Sequence, residues 1–310
     1  MFRVPCSFGH WIRLSLCVLT LGQVAVAQTP QTINFATEDD ITIVGDFVPA
    51  EATGDKTVKA PLVILLHMYR HDRSTWRPLV PTLHERGYAI MAIDVRGHGA
   101  SVGPPGKKFA ERVVKRDARL FRAMHRDVQA AYQWASAERD DVDLTRVALV
   151  GASVGCSIAI DYAARDKSVD VVVCLSPGVD YLGVDTVTHL ADYGDRPILL
   201  LASDEEKAGP ETIAKQAGGA EVKLFRQPGH GTRLFEKVRT LPTEIADFLD
   251  GHVGEPAEHP VVASYKSKSG VYHKPGTGFA NRISDKNKRW FSSAEEAESR
   301  GMRPVKRGGG

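Results

Sequence analysis

The chain of 310 residues is poor in cysteine, nearly balanced in charge and free of internal repeats. It has four cysteines, and none follows Cys174, which excludes a thiolate zinc site beyond that residue. The formal net charge of +2 does not by itself indicate a nucleic-acid or membrane partner. An apolar content of 43% and a charged content of 25% are typical of a soluble globular protein, and the length allows one large domain plus a small one.

The first 27 residues predict a secretory signal peptide. Arg3 and Arg13 give a basic start, and residues 14–21 form an apolar core that is too short to span a bilayer. The small residues at 25–27 predict cleavage before Gln28. We therefore expect the protein to be exported, to the periplasm or the extracellular space.

Removal of this leader leaves two cysteines, Cys156 and Cys174. Both lie in apolar stretches, which favours two small buried side chains. A disulfide between them is the alternative in an oxidising compartment. The cysteines therefore do not define the fold.

Residues 151–155 carry the pattern G-x-S-x-G between an apolar run and a helix-like segment. This context indicates a nucleophile elbow, a sharp turn between a buried strand and a helix. Gly151 and Gly155 let the strand and the helix pass each other closely. The turn raises the Ser153 hydroxyl above the sheet, at a helix N-terminus that favours developing negative charge.

Strands and helices alternate from residue 31 to residue 250, starting with a predicted edge hairpin. The predicted strands cover residues 33–35, 41–47, 62–67, 88–94, 147–150, 169–175, 197–202 and 222–225. The predicted helices cover residues 74–86, with Ser74 as N-cap, 121–137 and 234–249. The pattern predicts an α/β fold in which a mostly parallel sheet of about eight strands has helices on both faces. Ligands bind such sheets beyond the carboxyl ends of the strands, where His67, Ser153, Glu206 and His230 all fall.

A serine nucleophile needs a base and an acid that orients the base. The base candidate is His230, which follows the last predicted strand between Gly229 and Gly231. The acid is expected after strand 197–202, where the chain has Asp204, Glu205 and Glu206. Loop position favours Glu206, with Asp204 as the alternative and Glu205 still open.

The oxyanion hole of such a site is built from backbone N–H groups. We expect one from Val154, the residue after the nucleophile, and one from Tyr69 or Met68. The stretch 102–120 is rich in glycine, proline and basic residues; it predicts a solvated face, or alternatively a flank of the pocket that favours anionic acyl substrates. Because segment 175–197 is short, we expect an open or lightly covered site.

Four stretches together carry a family resemblance: residues 65–67, 94–101, 151–155 and 229–231. On these motifs the chain resembles the α/β-hydrolases over residues 31–250, and within them the dienelactone-hydrolase-like and small esterase members. Met68 departs from the glycine common after the histidine of that strand, and Glu206 from the usual aspartate.

The resemblance implies an exported serine hydrolase that cleaves a small-molecule ester through an acyl-enzyme, without a metal or organic cofactor. A peptidase, an acyltransferase or a lactonase on the same triad is the alternative within enzymes. A non-catalytic binding protein with a degenerate hydrolase domain is the alternative outside them.

Residues 251–262 have the composition of a linker, and residues 263–307 form a small basic segment. This segment resembles the Ada-type metal-binding module, but Thr277 and Val305 stand where its cysteines are expected. We therefore expect no metal there, a thin core formed by seven side chains, and either weak contact with a polyanion or the cell envelope or a solubilising role. The seven are Tyr265, Val271, Tyr272, Phe279, Ile283, Trp290 and Phe291.

Overall fold

The computed structural model describes residues 1, 29–51, 58–227 and 229–305. Within these residues the main sheet has eight strands in the order β1-β2-β4-β3-β5-β6-β9-β10. Strands β1 and β2 pair antiparallel, β2 pairs antiparallel with β4, and every later pair is parallel. The strands are β1 Gln31–Ala36, β2 Thr42–Val48, β3 Ala60–Leu66, β4 Ala89–Asp94, β5 Val142–Ala152, β6 Val171–Leu175, β9 Ile198–Ser203 and β10 Ala220–Phe225, and a small hairpin adds β7 Asp180–Tyr181 and β8 Val184–Asp185. The predicted fold class is confirmed.

Helices cover both faces of this sheet. They are α1 Val80–Glu85, α2 Phe109–Val114, α3 Ala118–Arg122, α4 His125–Glu138, α5 Val154–Arg165, α6 Thr186–Tyr193, α7 Ala208–Ala214 and α8 Leu241–His252. Because strand side chains alternate, Leu62 and Ile64 pack on the face covered by α4, α5 and α6, whereas Val63 and Leu65 pack on the face of α1 and α8. All of these strand residues are fully buried, as expected for a parallel sheet covered on both sides.

The predicted helix over residues 74–86 is interrupted by proline. The segment 74–86 divides into a 3-10 turn, Arg73–Trp76, and α1, because Pro78 and Pro81 cannot donate the backbone hydrogen bonds of a continuous helix. The prediction of Ser74 as N-cap is wrong: the cap is Asp72, whose carboxylate accepts from Ser74 N at 2.8 Å. An N-cap residue must lie outside the first turn, and Ser74 lies within it.

The other two helices also differ from their predicted bounds. The segment 234–249 divides into a 3-10 turn, Gly231–Glu236, and α8, which has a proline in its first turn. The segment 121–137 divides into α3 and α4. Helical periodicity of the side chains continues across both breaks, so it did not reveal them.

The C-terminal segment folds as a small α+β module against the main domain. Its sheet has the order β13-β11-β12-β14, from strands β11 Val261–Ser264, β12 Val271–His273, β13 Lys288–Phe291 and β14 Arg303–Pro304, and it carries α9 Ala294–Ser299. Tyr272 and Phe291 lie in its core, but Phe279 is 61% exposed, so the prediction of Phe279 as a core residue is wrong. Trp290 packs against the core of the main domain instead. The module is docked rather than a free tail.

The remaining predictions concern the leader, the two cysteines, membrane spans and metal binding. The predicted leader, residues 1–27, lies outside the described residues apart from residue 1. Cys156 and Cys174 are both buried free thiols. Among the described helices, none is long and apolar enough to cross a membrane. The described residues also contain no group of three or more His, Cys, Asp or Glu side chains arranged to hold a metal ion.

Candidate active site

Ser153 lies in a strained turn between β5 and α5. Its backbone has φ 53° and ψ −119°, outside the regions that residues with a Cβ normally occupy. A Cβ on Gly151 would collide with the backbone of Gly155, and a Cβ on Gly155 would collide with the carbonyl oxygen of Leu66. Only glycine therefore fits at these two positions. The strain costs about 1–3 kcal/mol and is held by the surrounding structure, including the hydrogen bond from Ser153 N to Leu175 O at 2.9 Å.

His230 lies in the loop after β10 and pairs with Glu206. Its Nδ1 is 2.6 Å from Glu206 Oε1, and both side chains are about one third exposed. Glu206 ends the 3-10 turn Asp204–Glu206 that follows β9, and Asp204 and Glu205 on the same turn point to solvent. A neutral imidazole that donates from Nδ1 to a carboxylate keeps its lone pair on Nε2. The structure thus brings together the histidine and one of the three candidate carboxylates.

The histidine loop lies close to the serine. A Cβ on Gly231 would lie 3.4 Å from the Cβ of Ala152, the neighbour of Ser153. The hydrogen bonds of the described residues include none between the Ser153 hydroxyl and the His230 ring. Such bonds often form only when a substrate is bound. The lack of a Ser153–His230 hydrogen bond is therefore compatible with proton transfer between the two side chains.

Tyr181 is a member of this site that the sequence pattern did not indicate. It lies on the hairpin of β7 and β8, with its ring edge-on to the His230 ring at 6.2 Å. Burial raises the pKa of Tyr181 to about 12, and the neighbouring Ser153 side chain opposes that rise. Its hydroxyl donates to Ser176 O at 3.2 Å, so Tyr181 lies beside the histidine as a neutral phenol. No motif marks it, because a two-residue strand in a connecting segment has no characteristic pattern.

The amides expected to form the oxyanion hole lie at the ends of two neighbouring strands. Val154 is the first residue of α5, where backbone N–H groups have no partner within the helix. Met68 and Tyr69 follow β3, which pairs with β5. Among the hydrogen bonds of the described residues, the N–H groups of Val154, Met68 and Tyr69 donate none. They are therefore available to an oxyanion.

His67 is a structural residue rather than a base. It is fully buried, its Nδ1 is 2.8 Å from Met68 O, and its Nε2 accepts from Val95 N at 3.1 Å. Burial lowers the pKa of His67 to about 3, so the ring is neutral. Both of its nitrogens are occupied, and its function is to fix the loop that begins with Met68.

Ser176 fixes the histidine loop. Its Oγ accepts from Gly231 N at 2.9 Å, directly after His230, and the serine is fully buried at the end of β6. Its backbone is also left-handed, with φ 55°. The sequence pattern did not indicate this residue either, because a serine after a strand is common.

We expect Ser176→Ala to lower kcat by about tenfold with a smaller change in KM, because the buried Gly231 N–H loses its acceptor at a cost of about 1–3 kcal/mol. Steady-state kinetics on a substrate that the protein turns over measures the change. The matched control is Ser203→Ala, since Ser203 is equally buried at the end of β9 and its hydroxyl has no hydrogen-bond partner among the described residues. Equal kinetics for the two variants would contradict the role given to Ser176.

Comparisons with known proteins agree with this architecture. The family model described as Hydrolase_4, serine aminopeptidase, S33, matches residues 58–209. An uncharacterized protein of Mycobacterium tuberculosis is 24% identical over 239 residues, which are 68% of this chain and 78% of that protein. An esterase of Pyrococcus furiosus has a similar structure, with a TM-score of 0.56 and 18% identity over 73% of this chain and 91% of that one. The dienelactone hydrolase of Anabaena variabilis also has a TM-score of 0.56 and 18% identity, over 73% of this chain and 99% of that one.

The eight-stranded sheet, the serine turn between β5 and α5, and these similarities define an α/β-hydrolase fold. The chain is similar in fold and in these motifs to the α/β-hydrolase superfamily. The predicted resemblance to this superfamily is confirmed.

Proposed function

We propose that this protein is an exported serine hydrolase that cleaves carboxylic esters of small molecules. The observation that carries the proposal is the His230–Glu206 hydrogen bond of 2.6 Å at the same rim of the sheet as the strained Ser153 turn. A serine, an imidazole oriented by a carboxylate and unpartnered backbone amides are the parts that acyl transfer requires. The esterase and dienelactone hydrolase among similar structures support the same class of reaction.

The proposed reaction begins with proton transfer from the Ser153 hydroxyl to His230 Nε2. Ser153 Oγ bonds to the ester carbonyl carbon, and the carbonyl oxygen becomes an oxyanion bound by the amides of Val154 and of Tyr69 or Met68. The imidazolium, stabilised by Glu206, then protonates the leaving alcohol as its bond to the carbonyl carbon breaks. Water attacks the acyl-enzyme by the same route in reverse, which releases the acid and the free serine.

Peptide hydrolysis is the second candidate, because the matching family model is described as a serine aminopeptidase. An aminopeptidase must bind a protonated amine near the scissile bond, which needs an acidic group at the rim. Two arginines, Arg70 and Arg116, lie exposed beside the Tyr69 loop, whereas the exposed carboxylates Asp180, Asp204 and Glu205 lie on the histidine side. Substrate preference therefore distinguishes the two candidates.

The test uses the protein expressed with its leader and isolated from the exported fraction. We expect its mass to correspond to a chain that begins at Gln28, a fluorophosphonate probe to label Ser153, and p-nitrophenyl acetate, butyrate or octanoate to be hydrolysed. Ser153→Ala is expected to stay unlabelled, and the buried-serine control Ser203→Ala to be labelled normally. Alanine p-nitroanilide tests the peptidase alternative.

A protein inert to the probe and to all of these substrates would contradict the proposal. The non-catalytic alternative would then be tested by binding of a polyanion to the C-terminal module. Retention of the leader on the isolated protein would contradict the proposed export but not the proposed hydrolase activity.

A further inference from the structure

Two arginines with left-handed backbones flank Tyr69, next to the expected oxyanion hole. Arg70 follows Tyr69 directly and has φ 56°. Arg116 has φ 54°, and its guanidinium carbon lies 5.8 Å from the centre of the Tyr69 ring. The ring is held by its hydroxyl, which donates to Val113 O at 3.0 Å. An exposed guanidinium is thus placed over the loop whose amides face the reacting carbonyl.

The turn that carries Arg116 also contacts the histidine side of the site. A Cβ on Gly183 would lie 2.5 Å from the Cβ of Ala118, so this turn packs against the hairpin of β7 and β8. The same hairpin carries Tyr181, whose ring lies against His230. The turn of Arg116 therefore adjoins both the Tyr69 loop and the hairpin that carries Tyr181.

The backbone at Arg116 is one that favours glycine. Arg116 N donates to Val113 O and Asp117 N donates to Arg112 O, both at 2.9 Å, which is the pair of bonds that closes a helix through a left-handed residue. Glycine is the usual residue there because a Cβ is strained in this conformation. Ser176 and Leu182 near the site also have positive φ, as do Asp40, Arg70 and Lys108. Arg116 thus stands at a position where glycine would be less strained.

Arg116 has no carboxylate partner within 4 Å among the described residues. The neighbouring Asp117 accepts from Arg112 Nε at 2.8 Å, and Asp180 on the facing hairpin accepts from Gly183 N at 2.9 Å. A planar guanidinium that lies over an aromatic ring and has no carboxylate partner is suited to bind a carboxylate.

We infer that Arg116 binds a free carboxylate on the substrate, so that the protein prefers anionic esters to neutral ones of the same shape. This inference rests on the proposed esterase function. The carboxylate belongs to either the acyl part or the alcohol part of the ester, because the Arg116 turn contacts both the oxyanion loop and the Tyr181 hairpin. Arg116 acts here as a specificity residue.

Two matched substrate pairs test the inference. Mono-4-nitrophenyl adipate is compared with 4-nitrophenyl hexanoate for the acyl side, and 3-acetoxybenzoate with 3-acetoxybenzamide for the alcohol side. We expect kcat/KM to be about tenfold higher for the anionic member of at least one pair, as a charged hydrogen bond allows. This ratio is expected to fall to about one in Arg116→Gln and Arg116→Gly, and to persist in Arg119→Gln, which removes an exposed charge from the adjoining helix.

Arg116→Gly also separates recognition from folding. It relieves the backbone strain, so its unfolding temperature is expected to equal or exceed that of the parent while the preference is lost. Ratios near one in both pairs of the parent protein, or a ratio that survives Arg116→Gly, would overturn the inference and leave the esterase proposal standing if the neutral esters are hydrolysed. No hydrolysis of any ester, together with no fluorophosphonate labelling, would overturn the proposed function and this inference with it.

Discussion

Ser153→Ala is expected to lower kcat for ester hydrolysis by about 10⁶-fold, and Glu206→Gln by about 10⁴-fold. In the proposed reaction the serine supplies the bond-forming atom, so its loss leaves only the catalysis due to binding and the oxyanion amides. The carboxylate acts through the imidazole: a glutamine still accepts a hydrogen bond but no longer stabilises the imidazolium. Steady-state kinetics on p-nitrophenyl butyrate measures both effects, with unfolding temperatures showing that the variants are folded.

The controls for Glu206 lie on the same 3-10 turn. Glu205→Gln and Asp204→Asn remove one charge each from the exposed side of that turn and are expected to change kcat by no more than about twofold, because surface charges are screened by solvent. A loss of several orders of magnitude in Asp204→Asn with little change in Glu206→Gln would assign the acid to Asp204. Equal small effects in all three would contradict a triad at this loop.

The sequence predicted the parts of this fold that depend on local pattern. Continuous apolar runs predicted the parallel strands, and G-x-S-x-G predicted the turn at Ser153, because only glycine fits at Gly151 and Gly155. Helix bounds were predicted less well. Pro78 and Pro81 stop the helix that apolar periodicity predicts over residues 74–86. Proline has no backbone N–H to donate, and this overrides the side-chain pattern there.

The rest of the candidate site depends on contacts between distant segments. Three consecutive carboxylates follow β9; loop position favoured Glu206, and the path of the 3-10 turn brings Glu206 to His230. Ser176 and Tyr181 reach the site from a connecting segment without a motif, and Arg116, after a short helix, lies over the Tyr69 ring. Spacing along the chain contains no information about such pairs, since they are set by how the loops cross the rim of the sheet.

The docking of the C-terminal module depends on one buried ion pair that sequence pattern also did not show. Arg289 on β13 donates from Nε to Asp166, the residue that ends α5, and the two side chains are 4% and 1% exposed. The guanidinium carbon lies 4.1 Å from the Tyr132 ring centre and 4.3 Å from that of Tyr265. Asp166 also accepts from the Tyr162 hydroxyl at 2.6 Å. The module therefore closes over the far end of the helix that begins at the nucleophile.

A second arginine of the module binds the main domain at the edge of the same contact. Arg300 donates to Lys167 O at 2.5 Å and to Asp170 Oδ1 at 2.6 Å. Burial raises the pKa of Asp170 to about 7, and Arg300 opposes that rise. Asp170 also accepts from Val147 N at 2.7 Å, next to the strand that leads to Ser153. Both arginines thus bind carboxylates of the main domain in the loop between α5 and β6.

Arg289→Met is expected to lower the free energy of unfolding by about 3–5 kcal/mol, because it leaves the Asp166 carboxylate buried without its partner. Urea unfolding followed by tryptophan fluorescence measures the loss, since Trp290 lies at the docked face. The control is Arg282→Met, which removes an arginine from the solvent-exposed side of the module and is expected to stay within about 0.5 kcal/mol. Recovery of stability in Arg289→Met/Asp166→Asn would assign the loss to the stranded charge. Equal stability of Arg289→Met and Arg282→Met would mean that the module does not dock through this pair in solution.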